Sequence, residues 1–141
     1  MPARLTAMIL AAGLALPAAA QTPTPLEKAG WVLVTGTEDV NVYMRNDTKA
    51  ASGLRRVWTA YDSAGPRKRD GFTFRSVRSL GEFDCEKRVS RIVDEFFHAG
   101  PALQGRSWRS PKFTVTPWAP AAPDSIGAVR MAYACKTLAD I

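Results

Sequence analysis

Apolar and polar residues alternate along most of the chain from residue 31 onward, and this two-residue period is typical of β-strands. The segment Val40–Met44 shows the pattern, because Val40, Val42 and Met44 fall on one face of an extended chain. The pattern predicts strands at Trp31–Thr35, Val40–Met44, Leu54–Tyr61, Phe72–Phe83, Val89–Phe97, and a sixth short strand around Trp108 and Phe113–Thr116.

Residues that favour turns separate these runs. Gly36 stops the first strand, Asn46-Asp47 ends the second, and Ser63–Pro66 marks the predicted end of the third. Gly81 lies inside the fourth strand, where a glycine indicates a bulge or bend. We therefore expect an antiparallel sheet whose strands are joined by short connections.

The period changes in the last segment of the chain. Ile126, Val129 and Tyr133 recur at i, i+3 and i+7, which predicts an amphipathic helix of ten to twelve residues. Asp124 or Ser125 can cap its start. The predicted fold is α+β: a curved antiparallel sheet of about six strands with one C-terminal helix lying against it.

The first twenty residues have the pattern of a secretory signal peptide. A basic start is followed by the apolar segment Leu5–Leu16, then by Pro17 and the small residues Ala18–Ala20. An apolar segment of twelve residues is shorter than the ~20 residues that a membrane span needs. We predict cleavage near Ala20-Gln21, a flexible leader over residues 21–29 and a single domain over residues 30–141. No transmembrane segment is expected in the mature chain.

Secretion affects the interpretation of the two cysteines. Cys85 and Cys135 are the only cysteines in the chain, and an oxidising compartment favours a bond between them. A reactive or metal-binding pair of thiols is the alternative, but the CxxC spacing and neighbouring histidines that it needs are absent. We expect a structural disulfide that fixes the helix to the sheet.

Positive charge is concentrated in the middle of the chain. The whole sequence has 19 basic and 13 acidic residues and a net charge of +6, and residues 54–112 account for all of that excess. Arg67, Lys68 and Arg69 precede a predicted Asp-Gly turn and form an exposed basic tip. Such a surface can bind anionic ligands, or it can be a solvated surface that protects strand edges from aggregation. Trp108 lies between Arg106 and Arg109, so it is either a ligand contact or a core residue.

Catalytic chemistry has little support in the sequence. His98 is the only histidine, and we expect it on the surface at a strand end, without the nucleophile and acid that hydrolysis would need. No spacing of acidic residues indicates a catalytic pair. We expect no enzyme, no cofactor and no metal site. Signatures of nucleic-acid binding are also absent, so no nucleic-acid partner is expected.

A series of segments occurs in an order that resembles a known family. These segments are Val57–Asp62, Phe74–Leu80, Phe83–Cys85, then Arg88, Arg91, Gly105, Trp118, Pro123–Ser125 and Cys135. The series is similar to the surface-adhesin protein E domain family of Gram-negative bacteria, over about residues 30–136. The resemblance implies an antiparallel sheet with a disulfide-linked C-terminal helix. It also implies a role like that of the adhesin for which the family is named, which binds host matrix and serum proteins.

These observations together predict a non-enzymatic binding module that is periplasmic, secreted or on the cell surface. Its expected partner is an extracellular or host protein or a polyanionic glycan, and the candidate ligand contacts are Arg67, Lys68, Arg69 and Trp108. The alternative is a periplasmic, envelope-associated protein with no adhesive function. The sequence leaves open whether the chain crosses the outer membrane. A homodimer could form through an edge strand, but the pattern does not require one.

Overall fold

The computed structural model describes residues 21–48 and 53–136 of the chain. The predicted signal peptide, residues 1–20, lies outside the described residues. A short helix, α1 (Pro25–Lys28), comes first and the helix α2 (Ile126–Lys136) comes last. Between them lie β1 (Val32–Gly36), β2 (Val40–Thr48), β3 (Leu54–Arg69), β4 (Phe72–Asp84), β5 (Val89–His98), β6 (Ser107–Trp108) and β7 (Ala119–Pro120).

The strands form one open antiparallel sheet in which neighbours in sequence are neighbours in space, from β1 to β6. The short strand β7 pairs with the first residues of β5, while β6 pairs with the last. The ladder shifts between Leu80 and Gly81, so the predicted irregularity at Gly81 is confirmed. The α+β fold with six main strands and a C-terminal helix is therefore as expected.

Helix α2 covers one face of the sheet. Met131 and Ala134 on the helix pack into a buried cluster with Met44, Val57 and Phe83. The helix begins as predicted at a serine cap, since the Ser125 hydroxyl accepts a hydrogen bond from the Ala128 N–H at 3.1 Å. The disulfide Cys85–Cys135 then joins the end of the helix to the end of β4, across a sequence separation of 50 residues.

The opposite face is covered only at one end, by α1 and by the loop after β5. Leu26, Trp31, Tyr43, Ala60 and Ala102 form the buried cluster there. Helix α1 was not predicted, and a capping box accounts for it: the hydroxyl of Thr24 accepts from the N–H of Glu27, whose carboxylate accepts from the N–H of Thr24 at 2.7 Å.

Three predicted boundaries were wrong. Strand β2 continues through Asn46-Asp47, and β3 continues through Ser63–Pro66 to Arg69. The turn-forming residues of β3 lie in a wide irregularity of the ladder between Asp62 and Arg67 instead of ending the strand. Phe113–Thr116 is not a strand, although the N–H of Thr116 donates to the carbonyl of Ile92 at 3.0 Å. No helix within the described ranges is long and apolar enough to cross a membrane.

Candidate functional site

The basic tip, defined as Arg67, Lys68 and Arg69, is the end of strand β3. All three side chains are exposed. The strand turns back immediately afterwards at Asp70 and Gly71, which both have a positive φ. This tight hairpin projects the three cations from the end of the sheet.

The three residues of the tip differ in their surroundings. Arg67 and Lys68 line an open depression of about 500 Å³ together with Asp39 and Pro66. Neither cation makes an ion pair with any residue in the part of the chain that the structure describes. Both charges are therefore available to a ligand.

Arg69 is held by its own sheet. Its guanidinium lies 3.7 Å from the carboxylate of Glu95 and 5.7 Å from the ring centre of Phe97. Burial raises the pKa of the Glu95 carboxyl, and the positive charges of Arg69 and Arg130 oppose that effect. Arg69 thus contributes less free charge to the tip than its two neighbours do.

Trp108 is a half-buried residue that packs against other aromatic rings. Its indole stacks on Phe97 with ring centres 6.0 Å apart and lies 5.4 Å from the ring of Phe72. Trp108 is therefore part of an aromatic cluster beside β5. A role for it in ligand contact stays a prediction.

His98 is not a surface residue, contrary to the sequence-based expectation. Only 7% of it is exposed, because the loop after β5 folds back over the strand end. Burial lowers the pKa of the imidazole, and the nearby charge of Arg78 lowers it further. Neither ring nitrogen has a hydrogen-bond partner among the described residues. This environment favours a neutral packing residue.

A second group of cations lies on the sheet face opposite α2. We call it the arginine–aromatic face and define it by the arginines 45, 56, 78, 91 and 109 with the aromatic residues Trp31, Trp58, Phe96 and Trp118. Strand register places its central residues side by side: Ala60 is opposite Arg78, which is opposite Phe96, and in the next row Trp58, Leu80 and Asp94 are neighbours.

Four arginines of this face lie over aromatic rings. Arg78 contacts two rings, with its guanidinium carbon 5.4 Å from the centre of Trp58 and 4.8 Å from that of Phe96. Arg109 lies 5.0 Å from the same Phe96 ring. Arg45 lies 4.9 Å from Trp31, and Arg91 lies 4.5 Å from Trp118. Such cation–π contacts hold planar guanidinium groups in fixed orientations.

Two arginines of the face share one buried carboxylate. Glu82 accepts hydrogen bonds from Arg56 at 2.9 Å and from Arg91 at 2.7 Å. Burial alone would raise the pKa of this carboxyl, but the two arginines outweigh it and hold the pKa below its ordinary value. Glu82 is thus ionised at neutral pH and leaves this group with one net positive charge.

Arg78 differs from Arg56, Arg91 and Arg109, because no carboxylate neutralises it within the described chain. Its Nε atom is buried and makes no hydrogen bond there. Arg109, by comparison, pairs with Asp94 at 2.6 Å.

The predicted strands contain Arg56, Arg78 and Arg91, but the sequence did not predict the association of these residues with aromatic rings. The sequence pattern that could have revealed these contacts is the alternation of residues along β3, β4 and β5. It could be used only once the register between the strands was known.

Comparison with known proteins gives a consistent result. The family model described as surface-adhesin protein E matches residues 31–136. Among solved structures, Haemophilus influenzae protein E superimposes with a TM-score of 0.57 at 13% identity, covering 80% of this chain and 89% of that one. A crystal structure of protein E from non-typeable Haemophilus influenzae gives 0.55 at 14% identity, covering 86% and 79%. These two likenesses concern the fold. No curated protein matches the sequence.

Proposed function

This chain belongs to the surface-adhesin protein E family, and we propose that it is a non-enzymatic binding protein that acts outside the inner membrane. In this proposal its signal peptide, residues 1–20, directs export. Its basic tip then contacts an anionic extracellular or host ligand.

The observation that carries this proposal is the state of Arg67 and Lys68. Both are exposed at a hairpin end and lack an ion pair among the described residues. Exposed cations at a projecting end attract anionic partners from solution and speed their association. The family supports the same type of role, a binding protein at the cell exterior.

The test is binding to two anionic probes, immobilised heparin and immobilised poly-glutamate. A variant with Arg67, Lys68 and Arg69 all changed to Gln should bind at least one probe about tenfold more weakly. That factor follows from three exposed charge contacts of about 0.5 kcal/mol each.

The matched control changes the same number of charges elsewhere, with Lys28, Lys87 and Arg106 replaced by Gln. All three of these residues are exposed. The control should stay within about threefold of the natural protein. Equal losses in the two variants would mean that only net charge matters and would refute a role for the tip.

A further inference from the structure

We propose that the arginine–aromatic face is a second binding surface, and that its ligand is a linear sulfated polysaccharide. The inference rests on the proposed binding function but assigns a different surface and a specific class of ligand. Its residues lie on the opposite side of the sheet from α2, about 13 Å along β4 from the tip at the rise of an extended strand.

The chemistry of the face favours an anion. Five arginines occupy it, and among the described residues Glu82 and Asp94 pair with three of them, Arg56, Arg91 and Arg109. Arg56 and Arg109 remain substantially exposed, with side-chain accessibilities of 44% and 53%. Arg78 is half-buried and makes no ion pair within the described chain, so its charge is not neutralised there.

The aromatic rings explain why these arginines suit a ligand better than flexible surface lysines would. The guanidinium groups of Arg78, Arg91 and Arg109 lie against rings, so their planes are fixed while their N–H groups at the edge can still donate. Ordering a long side chain normally opposes binding. Here that loss of freedom has already occurred in the unbound protein. Fixed guanidinium edges match the oxygens of sulfate groups.

The layout of the charges favours a stiff polyanion over a peptide. Arg91 lies one strand across from Arg78 and about 13 Å farther along the strands, so anionic groups must be presented over a broad area. A sulfated polysaccharide carries such groups along a chain that is already extended. An acidic peptide would first have to become ordered, which opposes its binding.

The apolar centre of the face also suits a sugar chain. Trp58, Leu80 and Phe96 are half-buried between the arginines. The rings are covered by guanidinium groups, so their faces are not free for the stacking of nucleic-acid bases. Sugar rings do not need a free aromatic face, because their C–H groups can contact the half-buried Leu80 while the sulfates contact the surrounding arginines.

The experiment measures binding of a fluorescent heparin decasaccharide to the purified, disulfide-bonded protein by anisotropy. Replacing Arg78 and Arg109 by Gln should raise the dissociation constant at least about thirtyfold, because charged hydrogen bonds from partly buried donors are lost. The matched control replaces Lys87 and Arg106 by Gln, which removes the same charge from exposed positions outside both the face and the tip. It should stay within about threefold.

Two further measurements separate the loss of specific contacts from the loss of charge or of folding. Arg78→Lys keeps the charge and removes the planar fork, so it should weaken binding about tenfold or more while circular dichroism and the midpoint of thermal unfolding confirm folding. Arg78→Lys also tests the proposal if the variant with both arginines changed to Gln does not fold. Poly-glutamate binding should be nearly unchanged by Arg78→Lys.

Three results would overturn the proposal. They are equal losses in the face and control variants, natural affinity in Arg78→Lys, or a face variant that loses poly-glutamate but keeps heparin. The last would assign the face to an acidic protein. A tip that fails its own test while the face variants behave as expected would refute the role of the tip and leave this surface standing.

Discussion

Arg67 and Arg78 carry the same charge but lie in different surroundings. Arg67 extends into solvent at a hairpin end, whereas Arg78 lies between the rings of Trp58 and Phe96. The sequence alone predicted that both are cations near strands. It could not predict the aromatic partners of Arg78, because those come from two other strands, whose register depends on the whole sheet. The variants described above test whether each of these two arginines contacts a ligand.

His98 is a second residue whose surroundings the sequence did not predict. Its burial leads to a prediction about the pH dependence of stability. Its pKa is lowered below the ordinary value near 6.5, so the unfolded chain takes up a proton there more readily than the folded protein does. The contribution of His98 to stability is therefore complete above about pH 6.5 and is lost as the pH falls below it. The unfolding free energy of the natural protein should therefore fall between pH 7.5 and 5.5 through this residue.

The measurement is urea unfolding of the natural protein and of His98→Leu at both pH values. The variant should lack this part of the pH dependence. Glu82 and Glu95 titrate in both proteins, so the difference between the two isolates the histidine, which is the only one in the chain. Parallel pH curves would contradict the burial of a neutral imidazole at this position.

At the scale of elements, local patterns located every main strand and the C-terminal helix, but not all of their ends. Strand β3 runs past Ser63–Pro66 because contacts distant in sequence keep the chain extended there. The guanidinium of Arg75 donates to the carbonyls of Ser63 and Ala64, and the N–H of Ala64 donates to the carbonyl of Asp39 at 2.9 Å. Helix α1 was missed for a related reason, since a four-residue helix is too short to show a period.

The bulge at Gly81 gives a prediction about the contact between sheet and helix. A Cβ atom at this position would lie 2.8 Å from the ring of Phe83 and 3.0 Å from the guanidinium of Arg130 on α2. Gly81→Ala should therefore lower the unfolding free energy by about 1–3 kcal/mol, because the packed ring has to move. Urea denaturation followed by fluorescence measures this change.

Gly65→Ala is the matched control for this substitution. Gly65 lies in the irregular part of β3, and no atom would lie within 4 Å of its added Cβ. Its effect should be within about 0.5 kcal/mol. Equal and small effects of the two substitutions would show that the helix does not press on the bulge.

For the whole molecule, the sequence predicted the layering correctly, because the disulfide and the amphipathic helix specify which end of the sheet is covered. Cys85 and Cys135 are bonded, with Cα atoms 5.6 Å apart. The amphipathic pattern did not reveal that the opposite face would carry arginines on aromatic rings. That arrangement depends on four strands and on segments after β5 that have little regular structure.

The disulfide should contribute about 4 kcal/mol to stability, the value that loop closure over about fifty residues gives in the chain-entropy model. A variant with both cysteines changed to Ala should show this loss in urea unfolding. The natural protein, denatured without reductant, should show no free thiol. Two titratable thiols in that sample would contradict the cross-link between helix and sheet.

The proposed contact with external ligands requires that the protein is exposed on the cell exterior. The most direct measurement is protease shaving of intact native cells, followed by detection of the protein with an antibody raised against the purified chain. A periplasmic marker protein serves as the control for leakage. A binding protein of the cell exterior should be digested while the marker survives. Protein that stays intact until the outer membrane is opened would contradict the proposed contact with external ligands and would favour a periplasmic role.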